Sequence, residues 1–143
     1  MPSSVDCQQL VAVAGDAIVV CDPEGVITLW NPAAQYMFGF SPEEALGQSL
    51  DLIIPQRLRA RHWEGYRKTM ETGQTRYGHD VLRVPGQHKD GRAMSISFTV
   101  ALLHGADHKI SGIASIIRDE SAKFNEDRAL RKRLAELEAK VGA

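Results

Sequence analysis

The sequence predicts an α+β domain: a five-stranded antiparallel sheet with short helices packed on one face. Three observations predict it. The elements run strand, strand, several short helices, strand, strand, strand. The hydrophobic period changes from helical in the first half to alternating in the second. Glycine- and proline-bearing turns separate the strands closely enough for hairpins. A helical cap over residues 1–15 precedes the core at 16–120, and a coiled-coil-like helix at 121–143 follows it.

Each element follows from local chemistry. Residues 6–15 mix Leu10, Val11 and Val13 with polar side chains and end at Gly15, which reads as a short leading helix. Ala17-Ile18-Val19-Val20-Cys21 is rich in β-branched residues and reads as a strand. In Asp22-Pro23-Glu24-Gly25 the proline presets φ and the glycine closes the turn, so Val26 to Trp30 returns as the other half of a hairpin. Asn31-Pro32 opens a helix that Gly39 stops, and Ser41-Pro42-Glu43-Glu44 opens a second that ends by Gly47. Leu50, Leu52, Ile53 and Ile54 form an apolar stretch interrupted by Pro55.

The longest internal helix is expected from about Gln56 to Glu71, with Gly73 just past its end. Leu58, His62, Tyr66 and Met70 fall on one face of it, while Arg57, Arg61, Lys68 and Glu71 fall elsewhere. Arg76 to Val84 is a strand, and Lys89-Asp90-Gly91 is a turn. From Arg92 to Leu102 the alternation is clean, with Met94, Ile96, Phe98, Val100 and Leu102 on one face and Ser95, Ser97 and Thr99 on the other. His104-Gly105-Ala106-Asp107 turns into a last strand from Ile110 to Ile117. From Asp119 onward the chain is helical and charged, and Leu130, Leu134, Leu137 and Val141 follow coiled-coil spacing. This helix either pairs with a second copy or packs on its own domain.

The composition narrows the function classes. The 143 residues carry a net charge of -1, which gives no electrostatic grip on nucleic acid or an anionic membrane. No apolar run approaches the roughly 20 residues of a membrane span, and the N-terminus lacks the pattern of a secretory signal. Cys7 and Cys21 form neither a disulfide framework nor a metal motif; one surface thiol and one buried apolar residue in a reducing cytoplasm are expected. There is no GxSxG, P-loop or HExxH motif, and His79, His88, His104 and His108 lack metal-ligand spacing. The expectation is therefore a non-enzyme.

Several segments, in order, resemble the PAS family over nearly all of residues 10–122. They are Asp22-Pro23-Glu24-Gly25-Val26-Ile27, Asn31-Pro32-Ala33-Ala34 through Met37-Phe38-Gly39-Phe40, and Ser41-Pro42-Glu43-Glu44-Ala45-Leu46-Gly47. Ile54-Pro55, Thr72-Gly73, Lys89-Asp90-Gly91-Arg92 and the closing Gly112 to Glu120 continue the match. The resemblance implies the PAS fold, a small ligand or a partner domain as the input, and signalling through flanking helices. It also implies a homodimer and an output domain, such as a histidine kinase or a cyclic-dinucleotide enzyme, in a longer protein; the alternative is a stand-alone partner.

Arg59-Ala60-Arg61-His62-Trp63-Glu64-Gly65-Tyr66 is similar to the helix that bears the iron-ligating histidine of oxygen-sensing heme PAS domains. His62, Tyr66 and Lys89-Asp90-Gly91 reproduce that pattern. The resemblance implies heme b with His62 on iron, Tyr66 beside it, Lys68 and Arg76 toward the propionates, and Leu82, Phe98 and Val100 on the gas-facing wall. Similar oxygen sensors have an arginine where Leu82 stands, and the other distal ligand of the family, methionine, is replaced by Asp80. Such a pocket stabilises oxygen poorly and suits CO, NO or redox sensing. The region Gly47 to Leu52 lacks the reactive cysteine of flavin photosensors, which excludes covalent flavin chemistry but not non-covalent FAD. Two expectations follow: a dimerising signal-relay domain in which His62 is a hydrogen-bonded core residue, or a heme gas or redox sensor.

Overall fold

The computed structural model describes residues 4–75 and 80–142. Its elements are α1 (Cys7–Val13), β1 (Ala17–Cys21), β2 (Ile27–Trp30), α2 (Pro32–Phe38), α3 (Pro42–Ala45), a 3₁₀ turn (Leu50–Ile53), α4 (Gln56–Thr72), β3 (Leu82–Gln87), β4 (Ala93–His104), β5 (Ile110–Asp119) and α5 (Ser121–Val141). The strands form one sheet in the order β2-β1-β5-β4-β3, and every neighbouring pair is antiparallel. The expected α+β class and five-stranded antiparallel sheet are therefore present.

Strand pairing decides which side chains meet the helices. Ala17, Val19 and Cys21 of β1 lie opposite Ile117, Ser115 and Ile113 of β5, and β5 sets Ile117 opposite Phe98 of β4. Directly opposed residues share a face. That face packs against Ala34, Phe38, Ala45 and Ile53 of the helical layer, with Ile27 and Trp30 from β2. The other face shows Ile116, about half exposed, and Leu103 to solvent.

The local signals account for the helix boundaries. Asn31 caps α2, and Gly39 ends it in a left-handed conformation at φ 86°. Ser41 and Glu44 form a reciprocal capping box at the start of α3. The β3–β4 turn reaches back to this layer: the Lys89 amide donates to the Phe38 carbonyl at 2.9 Å, and the Lys89 ammonium pairs with Glu44. The His88 ring lies over Gly39, where an added Cβ would stand 2.6 Å from Cε1.

Several boundaries differ from the sequence expectation. The leading helix stops at Val13, because Ala14 already leaves helical geometry ahead of Gly15. The apolar stretch at 50–53 is a 3₁₀ turn capped by Ser49. The strand expected to end at Val84 runs on through Pro85 to Gln87; β3 is the sheet edge, so Pro85 interrupts no second ladder. Residues 76–79 of that expected strand lie outside the described residues. β4 and β5 run two residues beyond their expected ends, to His104 and Asp119, and pair from Ile96–Asp119 to His104–Ile110. Cys7 is exposed and Cys21 buried, as expected.

One buried side chain ties these parts together. The Asn31 amide oxygen accepts from Ile18 N at 2.9 Å and Ala34 N at 3.0 Å. Its nitrogen donates to Val11 O at 2.9 Å and Asp16 O at 3.2 Å. Four segments thereby share one fully used amide. Asn31→Ala removes a partner from four backbone groups in a site that is 3% exposed. The expected loss is roughly 2–4 kcal/mol of unfolding free energy, measured by urea denaturation; a loss below about 1 kcal/mol would show that water replaces the amide at little cost.

Candidate functional site

Helix α4 has no fully buried residue and no side-chain N-cap, so it is held from outside by polar anchors. Three donors along it provide them. Arg59 Nε donates to Ile54 O at 3.0 Å and Nη2 to Asp51 O at 3.2 Å. Trp63 Nε1 donates to Asp51 Oδ1 at 2.7 Å. The Tyr66 hydroxyl donates to the Asp22 carbonyl in the β1–β2 turn.

The indole of Trp63 also closes over Gly25. A Cβ at residue 25 would stand 2.3 Å from Cη2 and Cζ3, and the backbone there has φ 85°. Gly25 is therefore required both for conformation and for space. The 3₁₀ turn, the β1–β2 turn and α4 are one packed unit, with Asp51 and Asp22 as its acceptors.

His62 sits inside this unit. Its ring lies 4.6 Å from that of Trp63, edge to face, and 5.9 Å from that of Tyr66. Its Nδ1 is buried and has no hydrogen-bond partner among the described residues. The expectation of a hydrogen-bonded core histidine is therefore not met at Nδ1. Burial pushes its pKa below the ordinary histidine value, and the Asp51 carboxylate opposes that only in part. His62 is thus a neutral imidazole with an unused polar atom. Burial likewise raises the Tyr66 phenol, helped by Cys21, Asp22 and Glu24. The Cys21 thiol is pushed up to about 12 by burial and by Asp22, which leaves it unreactive.

The other expected site residues divide. Leu82 and Phe98 are directly paired across β3 and β4, and Val100 follows on the same face, so these three share the helix-facing side of the sheet. Phe98 and Tyr66 both pack against the central core. Lys68 is exposed on α4. Arg76 lies outside the described residues. No local sequence signal marks Trp63 as an anchor of α4, or Asp51 and Asp22 as its acceptors, because each contact is long-range. A period-four reading selects Leu58, His62, Tyr66 and Met70; it includes one anchor, Tyr66, whereas Arg59 and Trp63 fall on the adjoining stripe. Among the described residues, no three His, Cys, Asp or Glu side chains are grouped to hold a metal ion, and no helix is long and apolar enough to cross a membrane.

Comparison with known proteins agrees with this architecture. A family model described as PAS fold matches residues 6–119. The sensor protein FixL of Bradyrhizobium diazoefficiens is 28% identical over 128 residues, which is 88% of this chain and 24% of FixL. The oxygen sensor protein DosP of Escherichia coli is 28% identical over 106 residues, 74% of this chain and 13% of DosP. The chain thus spans less than a quarter of the length of either relative. A crystal structure of a PAS domain from Colwellia psychrerythraea has a TM-score of 0.71 at 24% identity, covering 81% of this chain and 95% of that one.

The state of His62 has a consequence for stability. In the unfolded chain it takes up a proton near its ordinary pKa of 6.5, and the folded site resists that proton. The unfolded state therefore binds more protons below that pH, and the contribution present above it is lost as pH falls. Between about pH 7.5 and about pH 5.5, the urea midpoint of the wild type should fall more steeply than that of His62→Phe. Equal slopes would mean that the buried imidazole is not what resists acid.

Proposed function

Since this chain belongs to the PAS fold family, we propose that it is a sensor module that dimerises and relays the state of its helix-facing core to α5. The observation that carries this reading is the double use of β4. Met94, Ile96 and Phe98 belong to the core. The residues between them hold the first turn of α5. Ser95 O accepts from Glu120 N at 2.8 Å, and Ser95 N donates to Ser121 Oγ at 3.0 Å. The Ser97 hydroxyl donates to Glu120 Oε1 at 3.1 Å. A strand that shifts under its inner side chains moves its outer ones with it, because both hang on one backbone. A ligand that displaces Phe98 is thereby coupled to the root of α5 without direct contact. An output domain beyond α5 in a longer protein is the natural receiver.

A double-mutant cycle tests the coupling. Phe98→Leu should speed amide exchange in the first two turns of α5 by about tenfold, and that effect should shrink markedly in a Ser97→Ala/Glu120→Gln background. Equal acceleration in both backgrounds would remove the β4 clamp from the relay.

A second reading has its own observation, the unused Nδ1 of His62. The donor set fits heme b: one neutral imidazole, an apolar wall of Leu82, Phe98 and Val100, and the exposed cation Lys68. Heme iron, when bound, supplies a reversible site for a small gas or a one-electron redox couple. His62 would offer a ring nitrogen to it, Tyr66 holds α4 to the β1–β2 turn and so fixes the ring behind it, and Leu82 adds no hydrogen-bond donor on the opposite wall. Similarity to an oxygen sensor supports the reading. On addition of one equivalent of hemin, a sharp Soret band that shifts on reduction and CO addition, and is lost in His62→Ala, is the expected result. A spectrum unchanged by His62→Ala would leave the relay function without this cofactor.

A further inference from the structure

Among the described residues, every side chain of helix α5 from Ala122 to Val141 is exposed. Lys123, Phe124 and Asp127 border an open groove with Arg83 and Val84 of β3 and Ile96 of β4. Beyond that groove the helix exposes an unpartnered apolar seam: Leu130, Leu134, Leu137 and Val141 are 48–86% exposed. The spacing places Leu130 and Leu137 at heptad position d, and Leu134 and Val141 at position a. The preceding d and a positions are Lys123 and Asp127, so the apolar seam starts at Leu130, just past the groove.

This register fixes the flanking charges. Position g falls on Glu126, Arg133 and Lys140, and position e on Arg131 and Glu138. Among the described residues, none of these five forms an ion pair within its own chain. In a parallel two-stranded coil, a g residue faces the e residue of the next heptad in the other copy. Glu126 then meets Arg131 of the other copy, and Arg133 meets Glu138 of the other copy. Both contacts are between opposite charges, and two-fold symmetry makes each of them twice. In the antiparallel alignment that buries the same leucines, Leu134 faces Leu137; the g flank then brings Arg133 beside Lys140 while the e flank brings Arg131 beside Glu138, so like-charge contacts offset the opposite-charge ones, whereas in the parallel coil all the flanking contacts are between opposite charges.

We propose that α5 is a parallel, in-register dimerisation helix, matched to a second copy of this chain by Glu126–Arg131 and Arg133–Glu138 pairs between copies. The proposal rests on the dimer reading above and adds orientation and register to it. Both cores then lie at the same end of the coil. The polar Lys123 and Asp127 leave the first turns of each helix on their own sheet.

Sedimentation equilibrium on the full chain tests it. Arg133→Glu and Glu138→Arg, each alone, should weaken the dimer by about tenfold, because each sets like charges together at two contacts. An equimolar mixture of the two variants should form a heterodimer of wild-type affinity, because both contacts are then restored. Tightening by Arg133→Glu would point to the antiparallel coil and overturn the proposal. Leu130→Asp/Leu134→Asp separates the two levels of inference. If that variant is monomeric while the charge variants match wild type, the helix is the interface and the proposed register is wrong. If it remains dimeric, the copies meet elsewhere and the α5 interface falls entirely.

Discussion

The arrangement depends on one amide. Asn31 stands where β2 ends and α2 begins, and its side chain serves β1, α2, the end of α1 and the α1–β1 loop at once. No other residue type of this size offers two donors and a carbonyl acceptor in one plane. An aspartate would accept from Ile18 and Ala34 but could not donate to Val11 and Asp16. A serine could not span the groups. Because the site is buried, every unpaired group there costs more than the corresponding bond contributes. The cap that starts α2 is therefore also the joint that fixes where the N-terminal helix leaves the core.

Helix α4 is held by a different principle. It contributes no fully buried side chain, and its attachment comes from donors reaching carbonyl and carboxylate oxygens on two turns. Such an attachment is directional, since each donor must point at its acceptor, but it excludes less water than a packed apolar face. The Asp51 carboxylate accepts from Trp63 and the Asp22 carbonyl from Tyr66, and His62 lies against the rings of both donors. Its Nδ1 is buried there with no hydrogen-bond partner among the described residues.

What the sequence made readable, and what it hid, divides by distance along the chain. Asn31-Pro32, Ser41-Pro42 and the Asp22 to Gly25 turn act on groups within about four residues, so their roles could be read directly. The alternation through β4 was equally plain, because period two survives in any half-buried strand. The long-range uses of the same residues were invisible. Asn31 reads as a helix cap, while its bonds to Ile18 and Val11 reach 13 and 20 residues back. His62 could be placed on the inward face of α4, but its burial against the rings of Trp63 and Tyr66, with no partner for Nδ1 among the described residues, depends on the tertiary packing. The strand expected to end at Val84 continues through Pro85 because the sheet order puts it at an edge, which strand-local sequence does not show.

The two flanking helices are joined by a link that neither helix contains. The Asp16 carbonyl accepts from Asn31, and its carboxylate binds Arg118 at the end of β5 through two bonds of 3.1 and 3.2 Å. Arg118 in turn lies opposite Ser97, whose hydroxyl holds Glu120 at the root of α5. The Arg118–Asp16 pair is largely exposed and adds little to stability. Its value lies in position: it couples the loop after α1 to the segment before α5 across the ends of β1 and β5. A buried network there would lock both helices to the core. The buried contacts thus sit where α1 enters the fold and the exposed ion pair near where α5 leaves it, an asymmetry that suits the relay proposed above.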